Sequence, residues 1–214
     1  MGATLAGGGD LAGPQAGVSV PPAPPLLLAS RSPQRRAILE QLGIPFEVVA
    51  PRYDEVAGGG GDPSATVREH ARGKARSVAG AAGERPILGI DTEVVADGRV
   101  FGKPRHAGEA EEMLEALAGR RHEVVSGLCL LTPGWEEVGH EVTAVWFRPL
   151  DARDLAAYLA SGEWHERAGA YAIQGRGAAL VERIEGDYLN VVGLPAALLV
   201  RLLAERFPGV YGFG

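Results

Sequence analysis

Apolar and polar residues alternate along this chain with a period that changes several times, and the changes mark out elements. Leu26-Leu27-Leu28-Ala29 is an apolar strand that stops abruptly at Ser30. Ser32 can cap a helix with Pro33 at its first position, where a missing N–H costs nothing; Ile38, Leu39 and Leu42 give it one apolar face and Gly43 closes it. Phe46 to Ala50 reads as a second strand and Gly58 to Pro63 as a flexible loop. Ser64 is placed to cap a long helix running to about Gly80, with Val67, Ala71, Ala75 and Val78 inward. Pro86 to Asp91 is an apolar strand ending in Asp91-Thr92, and Asp97-Gly98 turns a hairpin that returns through Val100-Phe101-Gly102. Glu109 to Ala118 is an amphipathic helix stopped by Gly119. His122 to Thr132 and Glu136 to Phe147 form a second hairpin around Pro133-Gly134, and Asp151 caps a helix carrying Leu155, Tyr158 and Leu159. Gly162 to Asn190 is loop-rich, and Gly193 to Phe207 closes the chain as an apolar helix. Helices and strands alternate with hairpins between them, which predicts an α/β fold with a mixed sheet.

At 214 residues the chain can bury a sizeable core. A net charge of −6 with acids and bases interspersed argues against a nucleic-acid-binding face, though a local basic pocket for a small polyanion is compatible with it. The single cysteine, Cys129, excludes an internal disulfide and sits in an apolar run as a small buried hydrophobe. No apolar run approaches the roughly 20 residues of a membrane span. Residues 1–25 are rich in glycine, alanine and proline, lack the layout of a signal peptide and are expected to be a disordered tail. The expected compartment is the cytoplasm.

The strand–loop–helix unit around Ser30, Ser32 and Arg35 aims free backbone N–H groups and the positive end of a helix dipole into a loop that Arg31, Arg35 and Arg36 make basic. It is either a phosphate cradle or, more simply, a βα turn with arginines in solvent. Asp91 can hold a metal, activate water or cap a turn. Asp54 and Glu55 are magnesium ligands or a solvated turn. Lys74 points into a site or into water, and Lys103 is a cation fixed at a turn. Gln174 suits the reading of a base edge or the tying of a glycine-rich loop, where Asp187 also stands. The five histidines show no metal-ligand spacing, and surface or satisfied roles are the default for each. Nucleophile-elbow and kinase glycine-loop motifs are absent, whereas cations for phosphates plus acids for a divalent ion suit metal-assisted phosphoanhydride hydrolysis.

Several blocks carry a family resemblance: Leu28-Ala29-Ser30-x-Ser32-Pro33-x-Arg35; Asp54-Glu55; Gly89-x-Asp91-Thr92 with Gly102-Lys103-Pro104; Ala168-Gly169-x-Tyr171-x-Ile173-Gln174-Gly175; and Gly186-Asp187-Tyr188-x-Asn190-Val191-Val192-Gly193-Leu194-Pro195. In this order they resemble the Maf family of nucleoside triphosphate pyrophosphatases, from about Leu26 to Leu203. The resemblance implies a two-lobed α/β fold like that of inosine triphosphate pyrophosphatases, with an elongated mixed sheet and a deep cleft. The domain would span 26–208, with a short tail at 209–214. Ser30, Ser32 and Arg35 match the family's phosphate motif, Lys74 and Lys103 its cleft lysines, and Glu55, Asp91 and Asp187 its acidic, metal-holding set. Asp91 matches the proton acceptor, and Mg2+ or Mn2+ is the implied cofactor. The implied reaction is attack of water on the α-phosphorus of a nucleoside triphosphate, releasing the monophosphate and pyrophosphate.

Thr92 and Gln174 match the branch acting on dTTP and UTP, but Gln34 stands where that branch has an arginine contributing to specificity. Glu93 replaces a usually apolar residue and is expected to face solvent or a cation; Arg167 replaces a lysine and keeps its charge. The resemblance also implies a homodimer. The alternative is a non-catalytic nucleotide-binding regulator of cell division and septum formation on the same fold; retention of Asp91 and Lys103 favours the enzyme.

Overall fold

The computed structural model describes residues 23–55 and 61–214. Of the tail expected at 1–25, residues 1–22 lie outside them, as do Gly58 to Gly60 of the loop expected at Gly58 to Pro63. The strands are β1 (Leu26–Ala29), β2 (Phe46–Val49), β3 (Ile87–Ala96), β4 (Arg99–Phe101), β5 (Arg121–Leu131), β6 (Glu136–Phe147) and β7 (Val181–Glu185). The helices are α1 (Pro33–Gln41), α2 (Pro63–Ser77), α3 (Ala107–Leu117), α4 (Ala152–Leu159), α5 (Tyr188–Val192) and α6 (Ala196–Arg206). The strands form one mixed sheet in the order β2-β1-β3-β5-β6-β7, with β4 paired to β3. β1 is parallel to both β2 and β3, and the remaining pairings are antiparallel.

The local signals act much as their chemistry dictates. Ser32 caps α1 by accepting from the Arg35 N–H, with Pro33 behind it. Asp97 and Gly98 both take positive φ at the β3–β4 turn, as a tight hairpin of right-handed twist requires. Asp151 caps α4 in a reciprocal capping box with Asp154. The cap of α2 is Asp62 rather than Ser64: the Asp62 carboxylate accepts from the Ser64 N–H, and Pro63 takes the first helical position. β7 lies inside the segment expected to be loop. Its sequence Val-Glu-Arg-Ile-Glu is too polar to declare a strand, and it pairs at the sheet edge with Arg183 stacked 3.8 Å over Trp146.

β3 differs most from expectation. It does not end at Asp91 but runs on to Ala96, supported along one edge by β5. Its other edge is shared. β1 pairs with it only as far as Gly89, and β4 begins pairing at Val94. Ile90 to Glu93 are therefore left without a strand neighbour on that edge, in the middle of the sheet.

Two cores flank this gap. Leu26, Leu28, Leu88, Ile90, Leu128 and Leu130 pack against α1 and α6 on one face. Beyond the gap, Val94, Val124, Val145 and Phe147 pack against Met113, Leu114 and Leu117 of α3 and Leu155 and Tyr158 of α4. On the opposite face Leu27, Ala29, Ile87 and Cys129 meet Ala71, Ala75 and Val78. Burial pushes the Cys129 thiol up to about 12, as its reading as an inert hydrophobe requires. Residues before β1 and after α6 join the α1–α6 side: Tyr211 is buried and its hydroxyl donates to the Pro24 carbonyl.

α2 sits on the sheet with almost no space between. A Cβ on Gly127 would lie 2.1 Å from the Val67 carbonyl oxygen, and one on Gly89 2.2 Å from that of Ala71. Backbone rather than side chain blocks these positions. Gly127→Ala should therefore force α2 outward and lower stability by about 3 kcal/mol, read from urea unfolding.

His122, 1% exposed, holds the far core with its Nε2 2.9 Å from the Tyr171 hydroxyl. Burial, helped by the neighbouring charge of Arg121, lowers its pKa from 6.5 to about 4. The unfolded chain therefore binds the extra proton first as pH falls. Stability is fully present above the unfolded value and is lost between pH 6.5 and about 4, by up to about 3 kcal/mol. His122→Gln should flatten that part of the stability–pH curve.

Candidate active site

The gap at Ile90 to Glu93 opens into a cleft of about 830 Å3, within the roughly 300–1,000 Å3 of small-molecule sites. Its walls come from both sides of the gap: Ser30 to Arg35 and Gly193 from one, Val100 to Lys103 and His165 to Gln174 from the other.

Arg35 spans the gap. Its Nε donates to the Gly193 carbonyl at 2.9 Å, Nη1 to the Ile90 carbonyl at 3.0 Å and to Ser30 Oγ at 3.1 Å, and Nη2 to Thr92 Oγ1 at 3.2 Å. One guanidinium thus ties the first loop, the unpaired edge of β3 and the turn between α5 and α6. Burial lowers its pKa while Asp91 and Glu55 oppose that, and the guanidinium stays charged. Ser30 Oγ also accepts from the Ser32 N–H at 3.2 Å. The Ser32 hydroxyl, besides capping α1, donates to Gln34 Oε1 at 3.0 Å, which leaves the two N–H groups of the Gln34 amide directed elsewhere.

Asp91 and Glu93 lie on the α2 face of β3 because side chains alternate along a strand. Asp91 is 5% exposed, with Oδ1 2.6 Å from Lys74 Nζ and Oδ2 3.2 Å from His70 Nδ1. Lys74 Nζ also lies 2.6 Å from Glu55 Oε1. His70 and Lys74 are one helical turn apart, on the same stripe as Val67, Ala71 and Ala75, all buried. Tyr53 packs edge-on against His70, and its ring occupies the space a Cβ on Gly73 would take. Burial alone would raise the pKa of Asp91. Lys74 outweighs it, helped by Arg35 and His70, and holds the carboxyl below the ordinary value. The carboxyl is therefore ionised at neutral pH.

A model of the Maf-like protein family matches residues 25–206. The chain belongs to the Maf-like family. Similar proteins include the dTTP/UTP pyrophosphatase of Symbiobacterium thermophilum, 47% identical over 180 residues that cover 84% of this chain and 93% of that protein. That of Nitratidesulfovibrio vulgaris is 49% identical over 186 residues, covering 85% and 88%. That of Moorella thermoacetica is 48% identical over 189 residues, covering 87% and 97%.

Most residues singled out by the Maf resemblance converge. Ser30, Ser32, Gln34, Arg35, Glu55, Lys74, Asp91, Thr92, Lys103 and Gln174 all line the cleft. Lys74 corrects its local reading, because it is buried on Asp91 and not in water. Thr92 Oγ1 bridges Arg35 and Ser126, while Gln174 stands exposed on the opposite rim. Lys103 is exposed on the rim, 2.8 Å from Glu166; an ion pair in water is weak enough to yield to a phosphate.

Asp187 is placed elsewhere. Its oxygens accept from the N–H groups of Leu189 and Ala197, capping α5 and the first turn of α6, and it does not line the cleft. A carboxylate whose oxygens hold two helix starts is a structural cap. Glu55 and Asp91 do converge, together with His70, and the donor atoms of the three all lie within 4.8 Å of one another. His70 takes the satisfied role expected of the histidines, but at the centre of the site; its spacing of four from Lys74 on the apolar stripe was the available signal. Glu93 is corrected too. It is half-buried in the cleft, with Oε2 buried and without a hydrogen-bond partner among the described residues. Burial and then the charge of Asp91 raise its pKa. Arg167 lines the cleft opposite, its Nε buried and likewise unpartnered.

Lys74→Met would leave Asp91 buried without its nearest cation, and stability at pH 7 should fall by about 3 kcal/mol. In the wild type the depressed pKa of Asp91 contributes stability that is present above the unfolded value and lost as pH falls through the folded one. Without Lys74 only Arg35 and His70 are left to oppose burial, and that contribution diminishes. The stability difference between the two proteins, from thermal unfolding at a series of pH values, should shrink below pH 5.

Proposed function

We propose that this chain is a nucleoside triphosphate pyrophosphatase that hydrolyses dTTP and UTP to the monophosphate and pyrophosphate. The observation that carries the reading is Asp91: an ionised, buried carboxylate at the unpaired edge of β3, faced by Lys74 and Arg35 within a cleft sized for a nucleotide. The names of its relatives supply the nucleotides. Water adds to the α-phosphorus, the bond from that phosphorus to the bridging oxygen breaks, and the electron pair leaves with pyrophosphate.

The chain's groups divide this work. The Ser32 end of α1 and Arg31 face the triphosphate with N–H dipoles and positive charge. Lys74 and Lys103 can each exchange a carboxylate partner for a phosphate oxygen, stabilising the charge that develops on the leaving group. Such an exchange also frees Asp91. Held by Lys74 it is a weak base, but as the ammonium turns to phosphate its proton affinity rises and it can take the proton of the attacking water. Thr92 and Gln174 would read the base, and Gln34, which lines the same cleft, would offer it a neutral amide in place of a cation.

A divalent cation, Mg2+ or Mn2+, belongs to this proposal. The carboxylates fit it, because oxygens of Glu55 and Asp91 already converge on a single cation, the Lys74 ammonium. When bound, the ion would supply Lewis acidity at the phosphate oxygens. No helix among the described residues is long and apolar enough to cross a membrane.

The test is pyrophosphate release from a panel of nucleoside triphosphates with Mg2+, for the wild type beside Asp91→Asn. Turnover of dTTP and UTP, reduced by about 10²–10⁴-fold in the variant, is expected for loss of a general base. Turnover of another set would keep the reaction and reassign the base preference to Gln34. Binding of nucleotide with no turnover of any would instead favour the regulator.

A further inference from the structure

The proton and charge transfers above involve Asp91, Glu55 and the lysines but give no part to His70. Yet His70 is only 6% exposed, on the helical stripe that α2 presses against the sheet, and its Nδ1 stands 3.2 Å from Asp91 Oδ2. In a six-coordinate shell with bonds of about 2.1 Å, neighbouring donors are about 3.0 Å apart and opposite donors about 4.2 Å. The His70–Asp91 separation is that of neighbouring donors. The 4.8 Å within which Glu55, His70 and Asp91 all fall exceeds the span of such a shell by about 0.6 Å at most. Glu55, the exposed member, has the freedom to close the difference.

The chemistry of the donors is the second argument. Two carboxylates alone form a hard oxygen site suited to Mg2+. An imidazole nitrogen is a borderline donor, which Mg2+ accepts poorly and Mn2+ or Co2+ accept readily. Resting on the pyrophosphatase reading, we infer that His70 is a third protein ligand of the cation held by Glu55 and Asp91, and that its nitrogen makes this site select Mn2+ over Mg2+. α2 then has two duties at one turn's spacing, delivering a ligand through His70 and a charge for phosphate through Lys74.

Mn2+ is its own spectroscopic probe. The full chain, labelled with 15N-histidine and loaded with Mn2+ and a non-hydrolysable α,β-imido analogue of dTTP, is examined by electron spin-echo envelope modulation. A directly coordinated imidazole nitrogen is expected, and it should vanish in His70→Leu. In that variant the Kd for Mn2+ should rise about tenfold while that for Mg2+ changes less than about twofold. His70→Gln, which returns an oxygen donor, should move the preference toward Mg2+, an effect that a packing role would not produce. Thermal unfolding of both variants checks that the chain is intact.

Mn2+ bound without nitrogen coupling, its affinity sensitive to Glu55→Gln and Asp91→Asn but not to His70→Leu, would overturn the inference and leave the two-carboxylate site standing. Mn2+ affinity indifferent to all three substitutions would remove the cation from this site and overturn both readings.

Discussion

The cleft depends on how closely one helix may approach one sheet. Gly89 and Gly127 have no side chain where α2 crosses β3 and β5, and the facing helix positions are alanines and the backbone of Val67. At that distance the side chains of His70 and Lys74 reach the carboxylate of Asp91 on the sheet itself. Burying an aspartate and a lysine carries a desolvation cost of several kcal/mol per ion, which only close pairing offsets. Close pairing requires close packing. The two small residues of the sheet therefore decide whether the charged centre can exist.

A second constraint is the gap in the edge of β3. A strand whose partner stops at Gly89 and whose next partner begins at Val94 exposes backbone in the middle of a sheet, where polar groups need satisfying. Arg35 meets part of that need at the Ile90 carbonyl while also holding Ser30, Thr92 and Gly193. The same gap is the entrance to the cleft. One arginine thus closes a defect in the fold and fixes the floor of the site.

Rigidity is distributed accordingly. Asp91, His70, Lys74 and Ser30 are buried and held by several partners, whereas Lys103, Glu55 and Gln174 stand exposed on the rim. Groups that must keep their geometry sit on β3 and α2. On the rim, the Lys103–Glu166 pair lies in water, where such pairs are weak; Lys74, by contrast, is buried between two carboxylates.

The sequence by itself determined the elements whose signals are local. Leu26–Ala29, the Ser32–Pro33 cap, the Asp97–Gly98 turn and the Asp151 cap are each specified by a few adjacent residues, because backbone dihedrals and helix termini are satisfied within a turn of chain. The ordered blocks that mark the Maf family were equally legible, and with them the predicted site residues that line the cleft, from Ser30 to Gln174. Only tertiary structure decided that Lys74 is buried, that His70 belongs to the centre, that Glu93 turns inward and that Asp187 caps two helices outside it. It also decided that β3 continues through Asp91 and that Val181 to Glu185 is a strand. Each of these depends on what lies opposite, and a contact between residues 70 and 91, or between β6 and β7, leaves no mark on the local period of either segment.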